Sequence, residues 1–313
     1  NSIHHIMLLQ AEQPGKRTHE ESGEHSVHCH PSRVATAALA LTLTLAPLTA
    51  PAANAITVRT FSRGATVAVF GDSTVAINNT VADHTASFSP KNCASYAGTW
   101  PKQVFSKIRP RYTVADLSCP GARTTMFWKM NPEKYVGPRT RMVVLTYGSN
   151  DFGTYSFFKR AKRSTTGVYP SADAMSKHSA EVTKNMGEMI DFIKAAAPKA
   201  EILVMGYMNY VPPYSQQPCQ ALYPKLTPMS QNNVFFYRSM VNTTLKKVAA
   251  DNSVNFLLPD PLNKHTLCEP NPADRWMSGS GKREYQFHPN QAAHNAIYKK
   301  VTHVIRSNHL LFL

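Results

Sequence analysis

A chain of 313 residues with 42% hydrophobic content can bury a substantial core, as one large domain or two small ones, and a formal charge of +15 makes it strongly basic. Zinc-finger spacing, an aromatic RNA-binding signature and a basic helix with heptads are all absent from the sequence, which argues against nucleic acid as the partner and leaves an anionic cell-envelope surface. The lysines and arginines are scattered along the chain, as on a solvated surface.

Residues 34–49, VATAALALTLTLAPLT, follow Arg33 without a charge, and Ala53-Asn54-Ala55 supplies a small-x-small cleavage site. The apolar run is too short to span a bilayer and predicts a secretory signal peptide over 33–55. Residues 1–32 then form a polar leader without fixed structure, and 56–313 a single mature domain, released or held at the cell envelope. His25, His28, Cys29 and His30 crowd together in the leader, but no second cluster completes a metal site. Neither a metal nor an organic cofactor is expected. Four cysteines remain after cleavage, which implies two disulfides in a secreted chain and allows three pairings. The sequential pairing, Cys93–Cys119 and Cys219–Cys268, is favoured.

The first strand is predicted over 66–70, TVAVF. It breaks into Gly71-Asp72-Ser73, a place where a sheet edge can present the Ser73 hydroxyl as a nucleophile. A helix is expected over about 96–108 and a second strand over 112–117. After that strand comes Gly121, whose small size allows close backbone approach and whose N–H can donate to a developing oxyanion. The third strand, 141–147, ends in Gly148-Ser149-Asn150-Asp151, and the Asn150 amide is a second candidate donor. A long helix follows over about 173–197, with Met175, Val182, Met186, Met189, Ile190 and Ile193 at core-facing spacing. A fourth strand over 200–207, a helix over about 230–251, a fifth strand over 254–258 and a last helix over about 290–307 complete the series. Continuous apolar strands alternating with helices predict an α/β fold, a three-layer α/β/α sandwich around a mostly parallel five-stranded sheet. Ligands bind such sheets at the carboxyl ends of the strands, where Ser73 sits. His288, followed by Pro289 just before the last helix, is the candidate base. His294 reads as a partly buried helix residue.

Gly-Asp-Ser after strand one, glycine after strand two, Gly-Ser-Asn-Asp after strand three and His288-Pro289-Asn290 near the carboxyl terminus together resemble the SGNH hydrolases, or GDSL esterase/lipase family. The resemblance runs from about 64 to 307 and is similar in its signal peptide, disulfides and HPN ending to the secreted actinobacterial branch. It implies the flavodoxin-like SGNH fold, with Ser73 as nucleophile, His288 as general base, and the Ser73 N–H, Gly121 N–H and Asn150 side chain as the oxyanion hole. Thr74 stands where leucine is common. Tyr285 stands where the family usually places the acid three residues before the histidine. Some members of this branch use a backbone carbonyl there, which assigns the orienting role to the Tyr285 main chain, with Glu284 as the alternative.

These features predict two-step hydrolysis of a small-molecule or lipid ester by a monomer. A non-catalytic envelope-binding protein on the same fold, an acyltransferase and a carbohydrate deacetylase are the competing readings. Phe127, Trp128, Phe152 and Tyr155 follow the Gly121 and Asn150 motifs and are candidates for an acyl pocket; ordinary packing is the other reading of these aromatics.

Overall fold

The structure is a computed structural model that describes residues 64–78, 93, 98–107, 113–277 and 287–307. The segments read as a leader (1–32) and a signal peptide (33–55), together with Glu284 and Tyr285, lie outside the described residues.

In chain order the elements are β1 (Val67–Gly71), α1 (Ser73–Ala76), α2 (Trp100–Lys107), β2 (Val114–Asp116), α3 (Met126–Lys129), β3 (Met142–Thr146), α4 (Ser149–Phe152), α5 (Thr154–Ala161), α6 (Ala172–Ala196), β4 (Glu201–Met205), α7 (Pro228–Asp251), β5 (Asn255–Leu257) and α8 (Gln291–Ser307). The strands form one all-parallel sheet in the order β2-β1-β3-β4-β5. β1 and β3 are fully buried along their length, as expected for strands covered on both faces.

Their side chains alternate between two cores. Val67, Val69, Met142, Val144, Leu203 and Met205 pack against Trp100 and Val104 of α2 and Ile297, Val301 and Ile305 of α8. Ala68, Phe70, Val143, Leu145, Ile202 and Val204 face the other way, toward α6 and α7. On α6 the residues Val182, Met186, Met189, Ile190 and Ile193 are buried at helical spacing, so the methionines serve the core. The result is the expected three-layer sandwich.

The predicted elements all form, with the second and fifth strands cut to three residues each. The sequence reading did not separate α4 and α5 from a loop. Gly153 divides them, and Thr154, Phe157, Phe158 and Ala161 are the buried stripe of α5. Both favoured disulfides are present, Cys93–Cys119 and Cys219–Cys268, at sequence separations of 26 and 49. Loops of those lengths are worth about 3.5 and about 4 kcal/mol in the chain-entropy account. Among the described residues no helix is long and apolar enough to cross a membrane.

Candidate active site

The order 2-1-3-4-5 places the topological switch between β1 and β3, whose neighbours β2 and β4 lie on opposite sides. A crevice opens at the carboxyl edge of such a point. Ser73 follows β1 and Asn150 follows β3, so both motifs flank it. The β1 edge is fixed from both sides: Cys119 donates its N–H to the Gly71 carbonyl (2.8 Å), and Asp72 donates its own to the Thr146 carbonyl (3.1 Å). A Cβ on Gly71 would come within 2.7 Å of the Val75 side chain, so only glycine lets α1 turn back this tightly.

Asp72 caps α1. Its carboxylate accepts the Thr74 N–H at 2.8 Å and the Tyr207 hydroxyl at 2.8 Å. The same Tyr207 oxygen accepts the Ser149 N–H at 3.3 Å, so one buried phenol bridges the Ser73 turn and the Asn150 turn. Arg238, on α7 and buried, donates to Ser149 Oγ, to Thr154 Oγ1 at 2.8 Å and to the Met208 carbonyl at 3.2 Å. Its guanidinium lies 4.4 Å from the Tyr207 ring and 4.6 Å from the Tyr210 ring. Sequence reasoning missed this network. A tyrosine after a strand and an arginine within a helix carry no local signal of shared work.

The Gly-Ser-Asn-Asp motif also holds the loop after β2. Asn150 Nδ2 donates to the Ala122 carbonyl at 2.9 Å. Asp151 accepts the Thr124 N–H at 3.1 Å and its hydroxyl at 2.6 Å. Burial raises the Asp151 carboxyl above its ordinary value, and the Thr124 hydrogen bonds oppose the rise. Gly121 on the same loop has φ +76°, a left-handed conformation that disfavours any side chain. It is exposed at the cleft.

His288 Nε2 stands 2.9 Å from Ser73 Oγ. The next two residues are tied down: Pro289 pairs with Met277, and Asn290 caps α8, its side chain accepting the Ala293 N–H (3.0 Å) and donating to the Arg275 carbonyl (2.6 Å). Phe287 holds φ 69°, costly for an aromatic residue by about 1–2 kcal/mol. Its ring meets Phe158 edge-on at 5.1 Å, and that packing holds the turn that aims His288.

His294 is completely buried, more than its sequence position suggested, and clamps α8 to the far side of the site. Its Nε2 donates to the Ile77 carbonyl at 2.8 Å, and its Nδ1 accepts the Trp100 N–H at 3.2 Å. That pattern requires the neutral ring, and burial lowers its pKa from the ordinary 6.5 to about 4. Asp72 shifts the other way: burial raises it from 3.8 to about 6, against the Thr74 and Tyr207 hydrogen bonds and the Arg238 charge. The pH consequences oppose each other. The unfolded chain binds more protons at His294 between pH 4 and 6.5, so stability falls as pH drops through that window. The folded chain binds more protons at Asp72 between 3.8 and 6, so stability rises as pH drops. Each is worth about 3 kcal/mol. Guanidinium unfolding of His294→Gln from pH 7 to pH 4 should therefore show the variant gaining about 3 kcal/mol on the wild type; a constant difference would contradict a neutral buried imidazole.

Ser73, Gly121, Asn150 and His288 share a cleft of about 300 Å³ whose apolar lining includes Ile77, Met208, Tyr210, Met277 and Phe287. Of the four aromatics read as pocket candidates, Tyr155 lines this cleft. The other three do not. Phe127 is core, 4.7 Å from the Phe70 ring; Trp128 is 45% exposed and packs on Phe192; Phe152 is buried against Tyr237 and His178. Proximity in sequence misled because the short helices α3 and α4 turn these side chains away from the strand ends. Among the described residues no group of three or more His, Cys, Asp or Glu could hold a metal.

Residues 69–296 match the family described as GDSL-like Lipase/Acylhydrolase. No curated protein matches the sequence. Among solved structures, the fold is similar to the extracellular lipase from Streptomyces rimosus (21% identity, 77% of this chain and 99% of that one, TM-score 0.57). It is also similar to phospholipase A1 from Streptomyces albidoflavus NA297 (19% identity, 78% and 99%, TM-score 0.59).

Proposed function

The chain belongs to the GDSL-like lipase/acylhydrolase family, and from that premise we propose that it is a secreted serine ester hydrolase acting on acyl-chain esters through an acyl-enzyme. The observation that carries this reading is the 2.9 Å approach of His288 Nε2 to Ser73 Oγ at the switch point of the sheet.

In this mechanism Ser73 Oγ attacks the ester carbonyl carbon as His288 Nε2 takes its proton. The carbonyl oxygen becomes an oxyanion facing the Ser73 and Gly121 N–H groups and the Asn150 amide. Asn150 uses one amide hydrogen on the Ala122 carbonyl, which fixes the plane of the group and leaves its second hydrogen for the oxyanion. His288 then protonates the leaving alcohol. Water, deprotonated by the same imidazole, attacks the acyl-serine and releases the acid. The imidazole needs a partner for its other nitrogen to hold the correct tautomer, and the Tyr285 carbonyl, with Glu284 as the alternative, is assigned that part by sequence. The two disulfides fit an oxidising compartment.

The apolar lining and modest volume of the cleft favour a short or medium acyl chain over a sugar acetate. With p-nitrophenyl esters from acetate to palmitate, kcat/KM should peak at short to medium chains. Turnover confined to acetylated polysaccharide would overturn the substrate class. No turnover of any ester by folded, disulfide-intact protein would overturn the enzyme reading in favour of a binding protein.

A further inference from the structure

Some of the basic residues that look scattered in the sequence form a cluster beside the cleft. Two stretches, 152–172 and 202–250, contain no aspartate or glutamate. They carry Lys159, Arg160, Lys162, Arg163 and Lys225, besides the buried Arg238 and two lysines toward the end of α7. These stretches pack together. α5 lies on α7 with Phe157 4.7 Å from Tyr237, and Asn233 on α7 donates to the Val168 carbonyl at 2.9 Å. Phe158 reaches Tyr223 at 5.9 Å. The two ion pairs found among the described residues, Lys184–Glu188 and Lys247–Asp251, lie elsewhere, on α6 and at the far end of α7.

Lys159, Arg160 and Arg163, with Ser156 and Ser164, line an open depression of about 450 Å³, wide enough for a phosphate-bearing headgroup. The patch adjoins the catalytic cleft. Lys159 Nζ lies 5.2 Å from the Tyr155 ring, and Lys162 Nζ 4.2 Å from the ring of Phe287, the residue before His288. Burial, and then the neighbouring Arg163 and Lys159 cations, push the Lys162 ammonium below its ordinary value.

The same acid-free segments expose large apolar side chains. Tyr169 is 65% exposed and touches Met229, itself 51% exposed. Met229, Asn233 and Phe236 recur at helical spacing on one face of α7, and Phe236 is 48% exposed. A hydrated polyanion has no use for exposed apolar groups. A bilayer accepts them between its headgroups while its anionic lipids meet the cations.

We propose that α5, the 162–171 loop and the first half of α7 form an interfacial docking surface for membranes containing anionic phospholipid, which sets the mouth of the catalytic cleft against the lipid. The substrate side of this inference rests on the ester-hydrolase reading; the docking surface itself is tested without turnover. The full chain is cosedimented with phosphatidylcholine vesicles and with vesicles in which phosphatidylglycerol replaces part of the phosphatidylcholine. The apolar run 34–49 is common to wild type and variants, so it drops out of the comparison. Partitioning should favour the anionic vesicles, and Arg160→Gln/Arg163→Gln should weaken it by about fivefold for each cation removed, about 25-fold in all. Tyr169→Ser/Met229→Ser should weaken it further at high salt. Both variants alter exposed side chains away from the cleft, so their rates on water-soluble p-nitrophenyl acetate should match wild type. If that ester is not turned over while vesicle binding follows this pattern, the docking surface stands and the hydrolase reading fails. Equal partitioning on both vesicles, or wild-type partitioning by the arginine variant, overturns the proposal. So does a soluble polyanion that holds the chain as tightly as vesicles do, with no effect of Tyr169→Ser/Met229→Ser.

Discussion

Ser73→Ala is expected to lower kcat on a p-nitrophenyl ester by about 10⁶, and His288→Ala by a similar factor. The double variant should lose no more than either single one. The reason is that in the proposed mechanism Ser73 and His288 are two halves of one proton-coupled attack. Without the hydroxyl there is no acyl-enzyme; without the imidazole the hydroxyl stays protonated and weakly nucleophilic. The residual rate then comes from the oxyanion donors and from binding, which alone give about 10³–10⁴ over water. Steady-state kinetics of the two single variants and the double variant check this. Additive losses would mean that Ser73 and His288 act in separate steps. A Ser73→Ala rate within about tenfold of wild type would place the nucleophile elsewhere.

Asn150→Ala is expected to lower kcat by about 10²–10³ while KM changes little. The amide strengthens its bond only when the carbonyl oxygen becomes an anion, so its loss is felt in the transition state and not in ground-state binding. Asn150→Asp should be worse than alanine, because a carboxylate at that position repels the developing charge. A rise in KM with unchanged kcat in either variant would instead make Asn150 a substrate-binding group. Because Asn150 also bonds the Ala122 carbonyl, thermal unfolding of the variants separates displacement of the loop from loss of the donor.

Much of this site is legible in the sequence, because its parts announce themselves where strands end. Gly71-Asp72-Ser73 and Gly148-Ser149-Asn150-Asp151 each interrupt an apolar run abruptly. A parallel sheet then brings the carboxyl edges of β1 and β3 side by side, with Gly71 paired to Thr146. His288-Pro289-Asn290 is legible as a helix entrance, although the cap is Asn290 and Pro289 serves as a bridge to Met277. The pocket was less readable. Its lining comes from the segments holding Ile77, Met208, Tyr210, Met277 and Phe287, which are far apart in the chain and share no motif. Phe127 and Phe152 have the right residue type and the right neighbours, but helical periodicity turns them into the core. The Asp72–Tyr207–Ser149 bridge was unreadable for the same reason: it depends on which side chains meet after β1, β3 and β4 are aligned. Helix α5 went unread although its stripe of Thr154, Phe157, Phe158 and Ala161 recurs at a spacing of three and four, because the segment is only two turns long and follows directly on the Asn150 motif.

Ser73 and His288, the proposed nucleophile and base, are 215 residues apart, and His288 reaches Ser73 only when α8 docks through His294 onto Ile77 and Trp100. In the proposed mechanism reactivity therefore waits for the segment that carries His288 and α8. A ribosome-bound polypeptide that already holds Ser73 and β1 to β5 but not yet His288 lacks the imidazole assigned to activate the hydroxyl. In the proposed mechanism the order of the chain by itself keeps the Ser73 hydroxyl idle until His288 is in place. The appearance of hydrolysis would also serve as a clock for the completion of folding.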